Sequence, residues 1–295
     1  MAGFAGAAAS RYRIAIGLTA GLDSRIVFAA FRGHAQSVSG MTLADGRVSF
    51  DQDIPPRLCA ELGFRHQSVP ITASTPADIE RWDRMVGHAV RSNNREIYLS
   101  LRGVDGDVFV NGLYGEPARC FLYAHDWEQV NRQPADALNI LARLKQPRDA
   151  GMEADIEAWL APIRHLPRST VMDLAYIELR MGSWGMGQGP AQKSLRWSLM
   201  PFAQWRIQES FLTLSLPDRG SEKLLPRIGE ILWPEAMAFP INRYGDCRNH
   251  LGPLNRLARV GQPEDGAALP AQEAGKLRGG SSTPSPVVRR LCSST

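Results

Sequence analysis

The chain has 295 residues, 44% of them hydrophobic, and a formal net charge of +4, enough apolar material for one large domain or two modest ones. Apolar stretches such as residues 26–31 are soon broken by Arg32, Gly33 and His34 and fall well short of the roughly 18 to 20 residues that span a bilayer, which excludes a membrane-spanning protein. The cysteines Cys59, Cys120, Cys247 and Cys292 are scattered, with neither a Cys-x-x-Cys pair nor a clustered histidine, so no zinc site is expected and a reduced, cytoplasmic protein is.

Residues 1–11 have neither the basic start nor the Leu/Val-rich segment of a signal peptide and read as a disordered lead-in. Residues 12–19 form a compact apolar run, expected as a buried strand, and Ile26, Val27, Ala30 and Phe31 give residues 23–34 helical spacing. Residues 36–43 read as a second strand, followed by a turn at Ala44-Asp45-Gly46. Ser49 with Gln52 then forms a capping box that opens a helix through Leu62, ended by Gly63. Pro55 and Pro56 are tolerable there only in the first turns. Residues 66–71 read as a third strand, 76–92 and 96–102 as helices, and 107–111 as a short fourth strand. Such alternation predicts an α/β fold with parallel strands.

Beyond Gly115 the pattern changes. From Asp136 to about Leu232 the sequence shows helical periodicity and no convincing strand, the better helices being 137–144, 154–163, 171–184 and 203–214. The expected organisation is a lead-in at 1–11, a domain at 12–250 with an α/β half (12–125) and a mainly helical half (126–250), and a disordered basic tail at 251–295. In that tail residues 256–295 carry six basic against three acidic residues, but no aromatic residues interleave with the charges, which argues against a nucleic-acid partner.

The chemistry concentrates at Thr19-Ala20-Gly21-Leu22-Asp23-Ser24, where a strand hands over to a helix. In a parallel sheet this is the carboxyl edge, where ligands bind. Small residues at 20 and 21 let backbone N–H groups approach a phosphate, and the helix adds roughly half a positive charge at its N-terminus. Thr19 and Ser24 offer hydroxyls, and Asp23 is a candidate magnesium ligand. The segment matches neither Gly-x-x-x-x-Gly-Lys-Ser/Thr nor Gly-x-Gly-x-x-Gly. Taken alone, it fits equally an ordinary turn capped by Asp23 or Thr19.

The segment resembles the Ser-Gly-Gly-x-Asp-Ser pyrophosphate loop of the asparagine synthetase family, a branch of the ATP pyrophosphatases. Three further stretches are similar to that family: Met41-Thr42-Leu43 after the second strand, Leu62-Gly63 followed by Arg65-His66, and Asn111-Gly112-Leu113-Tyr114-Gly115-Glu116-Pro117-Ala118-Arg119 after the fourth. The resemblance covers roughly residues 12–245 and loosens in the helical half, around Glu178, Arg180, Trp184 and residues 199–202. It implies an adenine nucleotide alpha hydrolase-like (HUP-type) core and an ATP-dependent amide-forming ligase. Such an enzyme adenylates a small-molecule carboxylate, releases pyrophosphate and passes the acyl group to ammonia or another amine. By the resemblance, Thr19, Gly21, Asp23 and Ser24 cradle pyrophosphate, Leu18 and Thr42 lie near adenosine, and Asp23 binds Mg2+. Gly115 belongs to the same element as Glu116, the candidate base.

Arg119 stands where the family keeps a second metal-binding aspartate and is expected to neutralise phosphate or to leave a site with one metal ion. Ala20 replaces the first loop glycine. Residues 239–243 stand where the family has a lysine-bearing segment, with Lys223 and Arg243 as the available cations. Residue 2 is Ala and the first cysteine is Cys59, so no glutaminase nucleophile is encoded in the given sequence. Nitrogen then comes from ammonia, another amine or a glutaminase partner, or the sequence is part of a longer protein. Two other readings remain open: a nucleotide- or partner-binding protein that has lost catalysis, and an intramolecular amide-forming relative.

Overall fold

The structure, a computed structural model, describes residues 1–44, 49–87, 90, 93–185 and 197–242. The expected tail at 251–295 lies outside the described residues, as do Arg243, Cys247, Cys292 and most of the turn expected after Ala44.

Five strands, β1 (Ile14–Gly17), β2 (Val38–Ala44), β3 (Arg65–Pro70), β4 (Val108–Val110) and β5 (Trp197–Leu199), form one sheet in the order β3-β2-β1-β4-β5. All the pairings are parallel, with Gly17 beside Met41 on one side of β1 and Ile16 beside Val110 on the other. The fold is therefore an α/β parallel-sheet fold. Ile14, Ala15 and Ile16 are all buried, as expected of a central strand covered on both faces.

Helices α1 (Ala2–Ala9), α2 (Leu22–Ala30), α3 (Phe50–Glu61), α4 (Pro76–Val86) and α5 (Asn93–Ser100) precede or connect the first four strands. Between β4 and β5 come α6 (Ala137–Arg143), α7 (Ala150–Leu160) and α8 (Arg168–Leu174). Asp136 and Asp149 cap α6 and α7 by accepting from Asn139 N–H and Met152 N–H. Helix α8 continues into the wider i→i+5 helix Ala175–Gly185, a rare geometry frequent at functional sites. After β5 follow α9 (Trp205–Leu212), α10 (Leu216–Gly220), α11 (Leu224–Leu232) and α12 (Pro234–Met237).

One buried cluster runs from Ile14 and Phe28 through Tyr123, Ile140, Leu160 and Met172 to Trp233 and Ile241, so the two halves read from the sequence share a core. Phe28, on α2, stacks on Trp233 at 5.5 Å and meets Phe64 edge-on at 4.8 Å. Cys59 and Cys120 are buried free thiols. Among the described residues, no helix is long and apolar enough to cross a membrane.

Several expectations need correction. The stretch expected as a disordered lead-in contains helix α1, whose Ala5, Ala8 and Ala9 are buried and whose Phe4 meets Phe31 edge-on. Its alanines favour helix, and their small size lets one face be buried without an amphipathic stripe. The half read as lacking strands contributes β5, only three residues long and too short for alternation to register. Ser49 does precede the helix as its N-cap, but its side chain makes no capping hydrogen bond. Pro55 and Pro56 lie inside α3, beyond its first turn.

Candidate functional site

The strand order explains why two distant segments meet. Chain progression from β1 goes to β2 on one side, while β4 lies on the other, so the sheet changes direction between β1 and β4. Loops leaving the carboxyl ends of two such strands open a crevice. Here those loops are residues 18–21 and 111–119.

The first loop is folded on its own polar groups. Leu18 N–H continues the ladder to Met41 O at 2.8 Å. Thr19 N–H donates to Ser24 Oγ at 3.1 Å, the two hydroxyls are 3.0 Å apart, and Gly21 N–H donates to Thr19 Oγ1 at 3.0 Å. Ala20 N–H donates to Asp51 Oδ1 at 2.7 Å, so a carboxylate already sits against the loop's backbone. Gly21 is the N-cap of α2, and Asp23 lies in its first turn, where the helix dipole favours an anion.

The second loop closes on the first because two of its residues lack a side chain. A Cβ at Gly112 would lie 2.7 Å from the backbone nitrogen of Ser24, and one at Gly115 would lie 2.5 Å from Asp23 Oδ1. Gly115 caps the short 3-10 turn Glu116–Arg119, which carries both candidate catalytic residues. Arg119 Nη2 donates to Asp23 Oδ2 at 2.7 Å, the two side chains being 12% and 13% exposed. Asp23 Oδ1 is buried without a hydrogen-bond partner, and the hydroxyl of Tyr176, on the i→i+5 helix, is buried against the Glu116 carboxyl. Burial, and then the charge of Asp23, push the Glu116 carboxyl above its ordinary range, against the pull of Arg119. Burial and the nearby Glu116 likewise push the Tyr176 hydroxyl up. Burial opposes the Arg119 charge, but the Asp23 and Glu116 carboxylates outweigh it and raise its pKa.

Thus Gly21, Asp23, Ser24, Gly115, Glu116 and Arg119 come together, with Thr19 exposed at the rim. Leu18 and Thr42 lie deeper, both buried. Thr42 Oγ1 donates to Leu18 O at 2.8 Å and lies 3.0 Å from His66 Nε2. The hydroxyl's one proton is used on Leu18, so His66 is the donor of the second bond. Burial lowers the His66 pKa, in keeping with a neutral ring. Lys223 is exposed at the N-cap of α11.

Residues that sequence reasoning missed hold this site in place. Arg25, fully buried, donates to Phe239 O and Pro240 O, each at 2.6 Å, and to Ala20 O at 3.2 Å. Asn242 N–H also donates to Ala20 O, at 2.9 Å. The segment 239–242 is thereby docked on the loop. Arg219 donates to Pro117 O at 3.0 Å and to Asp173 Oδ2 at 2.8 Å, fixing the backbone next to Glu116. The adjacency of Arg25 to Asp23 and Ser24 was a sequence signal for its importance; Tyr176, Asp173 and Arg219 carried none. Of the loosely matching residues, Glu178 accepts from Trp159 Nε1 at 2.9 Å, and Arg180 stacks between Phe121 and Trp184 at 5.4 Å from each ring.

Compared with known proteins, the chain matches no family model and no curated sequence.

Proposed function

We propose that the chain is an ATP-dependent amide-forming ligase of the asparagine synthetase kind. The observation that carries this reading is the convergence of Asp23, Glu116 and Arg119 where the N-terminus of α2 meets the loop after β4. A phosphate-sized anion suits the loop, since Ala20 N–H already holds a carboxylate and the start of α2 adds its dipole.

In the proposed reaction a carboxylate oxygen of a small-molecule substrate attacks the α-phosphorus of ATP. The bond to the bridging oxygen breaks, and pyrophosphate leaves with the electron pair. An amine nitrogen then attacks the acyl-adenylate carbonyl, its proton passes to Glu116, and AMP departs. Burial makes Glu116 a stronger base than an exposed carboxylate, and general bases contribute typically about 10²- to 10⁴-fold. Ammonia, another amine or a glutaminase partner supplies the nitrogen, and the setting is the cytoplasm. The magnesium implied by the resemblance fits these residues poorly. One Asp23 oxygen is taken by a guanidinium, and that guanidinium stands in the second ligand's place. No step above is routed through a metal ion.

The Asp23–Arg119 pair also favours a second reading, a nucleotide-binding protein without turnover. A pyrophosphate-release assay with ATP and a panel of carboxylates and amines, run with and without magnesium, separates the two. Wild type is expected to release pyrophosphate and form AMP, with Asp23→Ala and Glu116→Ala at background. Nucleotide binding without AMP formation on any substrate pair would favour the second reading, and no nucleotide binding would reject both.

A further inference from the structure

We propose that Arg119 takes the place of a divalent cation at this site: anchored by Asp23, its guanidinium binds the nucleotide polyphosphate directly, so that ATP binding needs no metal ion. The inference rests on the ligase reading for the identity of the ligand and goes beyond it in saying what neutralises that ligand.

Three observations carry it. Arg119 has Asp23 Oδ2 as its one hydrogen-bond acceptor among the described residues, at 2.7 Å. A guanidinium presents five N–H donors in a fixed fork, so most of its donors remain for a ligand. Anchoring by a single contact aims that fork while leaving it free to grip phosphate oxygens in the two-pronged geometry arginine favours. Second, Asp23 lies in the first turn of α2, just after the loop whose Ala20 N–H holds the Asp51 carboxylate. The guanidinium is thereby tethered beside a helix N-terminus, where the dipole favours an anion. Third, the Tyr176 hydroxyl, on a residue 2% exposed, is buried against the Glu116 carboxyl near Asp23, which adds a neutral polar group to the same site.

The same arrangement disfavours magnesium. That ion demands near-octahedral oxygen ligation and gives up its water reluctantly. Here the acidic residue at the start of α2 is already neutralised by a permanent cation, and a divalent ion on its other oxygen would sit beside that positive charge. Guanidinium needs no water shell and no second carboxylate.

The test is calorimetric titration of the full chain with ATP, once with EDTA and once with excess magnesium. The expected result is that the two dissociation constants agree within about threefold. Arg119→Gln should weaken binding in EDTA by more than about tenfold, the worth of one charge-assisted contact. Arg119→Asp should bind only when magnesium is added. Wild type that binds ATP in magnesium but not in EDTA overturns the inference and leaves the nucleotide reading standing. Absence of binding in both buffers rejects the nucleotide reading and the inference with it. If the Arg119 variants do not fold, the wild-type pair of titrations still decides.

Discussion

Two aspartate–arginine pairs lie close to each other in this protein and differ in how completely they are satisfied. In the Asp173–Arg219 pair, Nη1 meets Oδ2 at 2.8 Å, the Tyr123 hydroxyl lies 3.0 Å from both carboxylate oxygens, and the side chains are 3% and 4% exposed. In the Asp23–Arg119 pair the contact is as short, but Asp23 Oδ1 is left without a partner and Arg119 makes no other hydrogen bond among the described residues. The carboxylate is closed in one place and open in the other, although Arg219 Nε is itself buried without a hydrogen-bond partner. A closed carboxylate has no acceptor left for a ligand and serves packing; an open one at the carboxyl edge of a parallel sheet keeps acceptors and donors in reserve. The closed pair also supports the open one, since Arg219 holds the Pro117 carbonyl in the turn that bears Glu116 and Arg119.

The sharpest way to break this contrast is to remove the acid of each pair. Asp173→Ala leaves Arg219 buried without its counter-charge, which costs about 3–5 kcal/mol. At roughly 2–4 °C per kcal/mol for a domain of this size, the melting temperature should drop by about 10 °C. Asp23→Asn keeps the shape of a side chain that is 13% exposed and an oxygen that can still accept from Arg119, so it should cost less than about 1.5 kcal/mol while abolishing ATP binding. Thermal melts and ATP titrations of the two variants check this. Equal destabilisation, or retained nucleotide affinity in Asp23→Asn, would erase the distinction between open and closed.

The next effect is on pH dependence. Burial pushes the Asp173 carboxyl up from 3.8 to about 6, against the pull of Arg219 and Tyr123. Between those values the folded chain holds a proton that the unfolded chain has released, so stability falls as pH climbs from about 4 to about 6 and levels off above. The loss approaches about 3 kcal/mol at most. Glu116, also raised, acts in the same direction. Urea unfolding of wild type and Asp173→Asn across this range should show the difference between them changing with pH below about 6 and constant above it. A difference that is flat throughout contradicts the raised carboxyl.

The open pair was partly legible in the sequence, and the reason is local; neither member of the closed pair was. Thr19 to Ser24 and Gly115-Glu116 are short contiguous motifs, and the alternation of strands and helices places both at one sheet edge. Arg119 stood out as a cation where the resemblance implies an acid. What pairs with it, and what holds the turn, depended on contacts that no local pattern encodes: Arg25 reaches Phe239 and Pro240, and Asp173 reaches back to Tyr123 and forward to Arg219. Helix α1 lacked the apolar periodicity that marks most helices, and β5 was too short to alternate. Tyr176 sat in a stretch read simply as helix, and its position beside Glu116 follows from tertiary packing.

A smaller effect is expected from closing the open pair sterically. Gly115→Ala would put a methyl carbon 2.5 Å from Asp23 Oδ1, so the aspartate or the turn must shift. The expected cost is about 1–3 kcal/mol of stability, as for other over-packed sites. ATP affinity should fall with it, because Asp23 would no longer aim Arg119. Gly3→Ala in α1, where a Cβ meets nothing within 4 Å, should instead be neutral or stabilising by up to about 1 kcal/mol. Melting and ATP titration of both variants give the comparison. Gly115→Ala behaving like Gly3→Ala would mean that Asp23 is not held by this close approach.

The smallest effect concerns what fills the open site before a ligand arrives. Ala20 N–H donates to Asp51 Oδ1 at 2.7 Å, so an incoming phosphate must displace a carboxylate and also meets its negative charge. Asp51→Ala removes both obstacles, and loss of the Ala20 hydrogen bond costs about 0.5–1.5 kcal/mol of stability. ATP affinity should rise by about 3- to 10-fold, corresponding to about 0.7–1.4 kcal/mol, and the gain should shrink as salt screens the repulsion. Titrations at low and high ionic strength read both quantities. A fall in affinity at either ionic strength would mean that Asp51 shapes the loop for its ligand instead of standing in for it. The open pair would then need Asp51 as a third supporting residue, as the closed pair needs Tyr123.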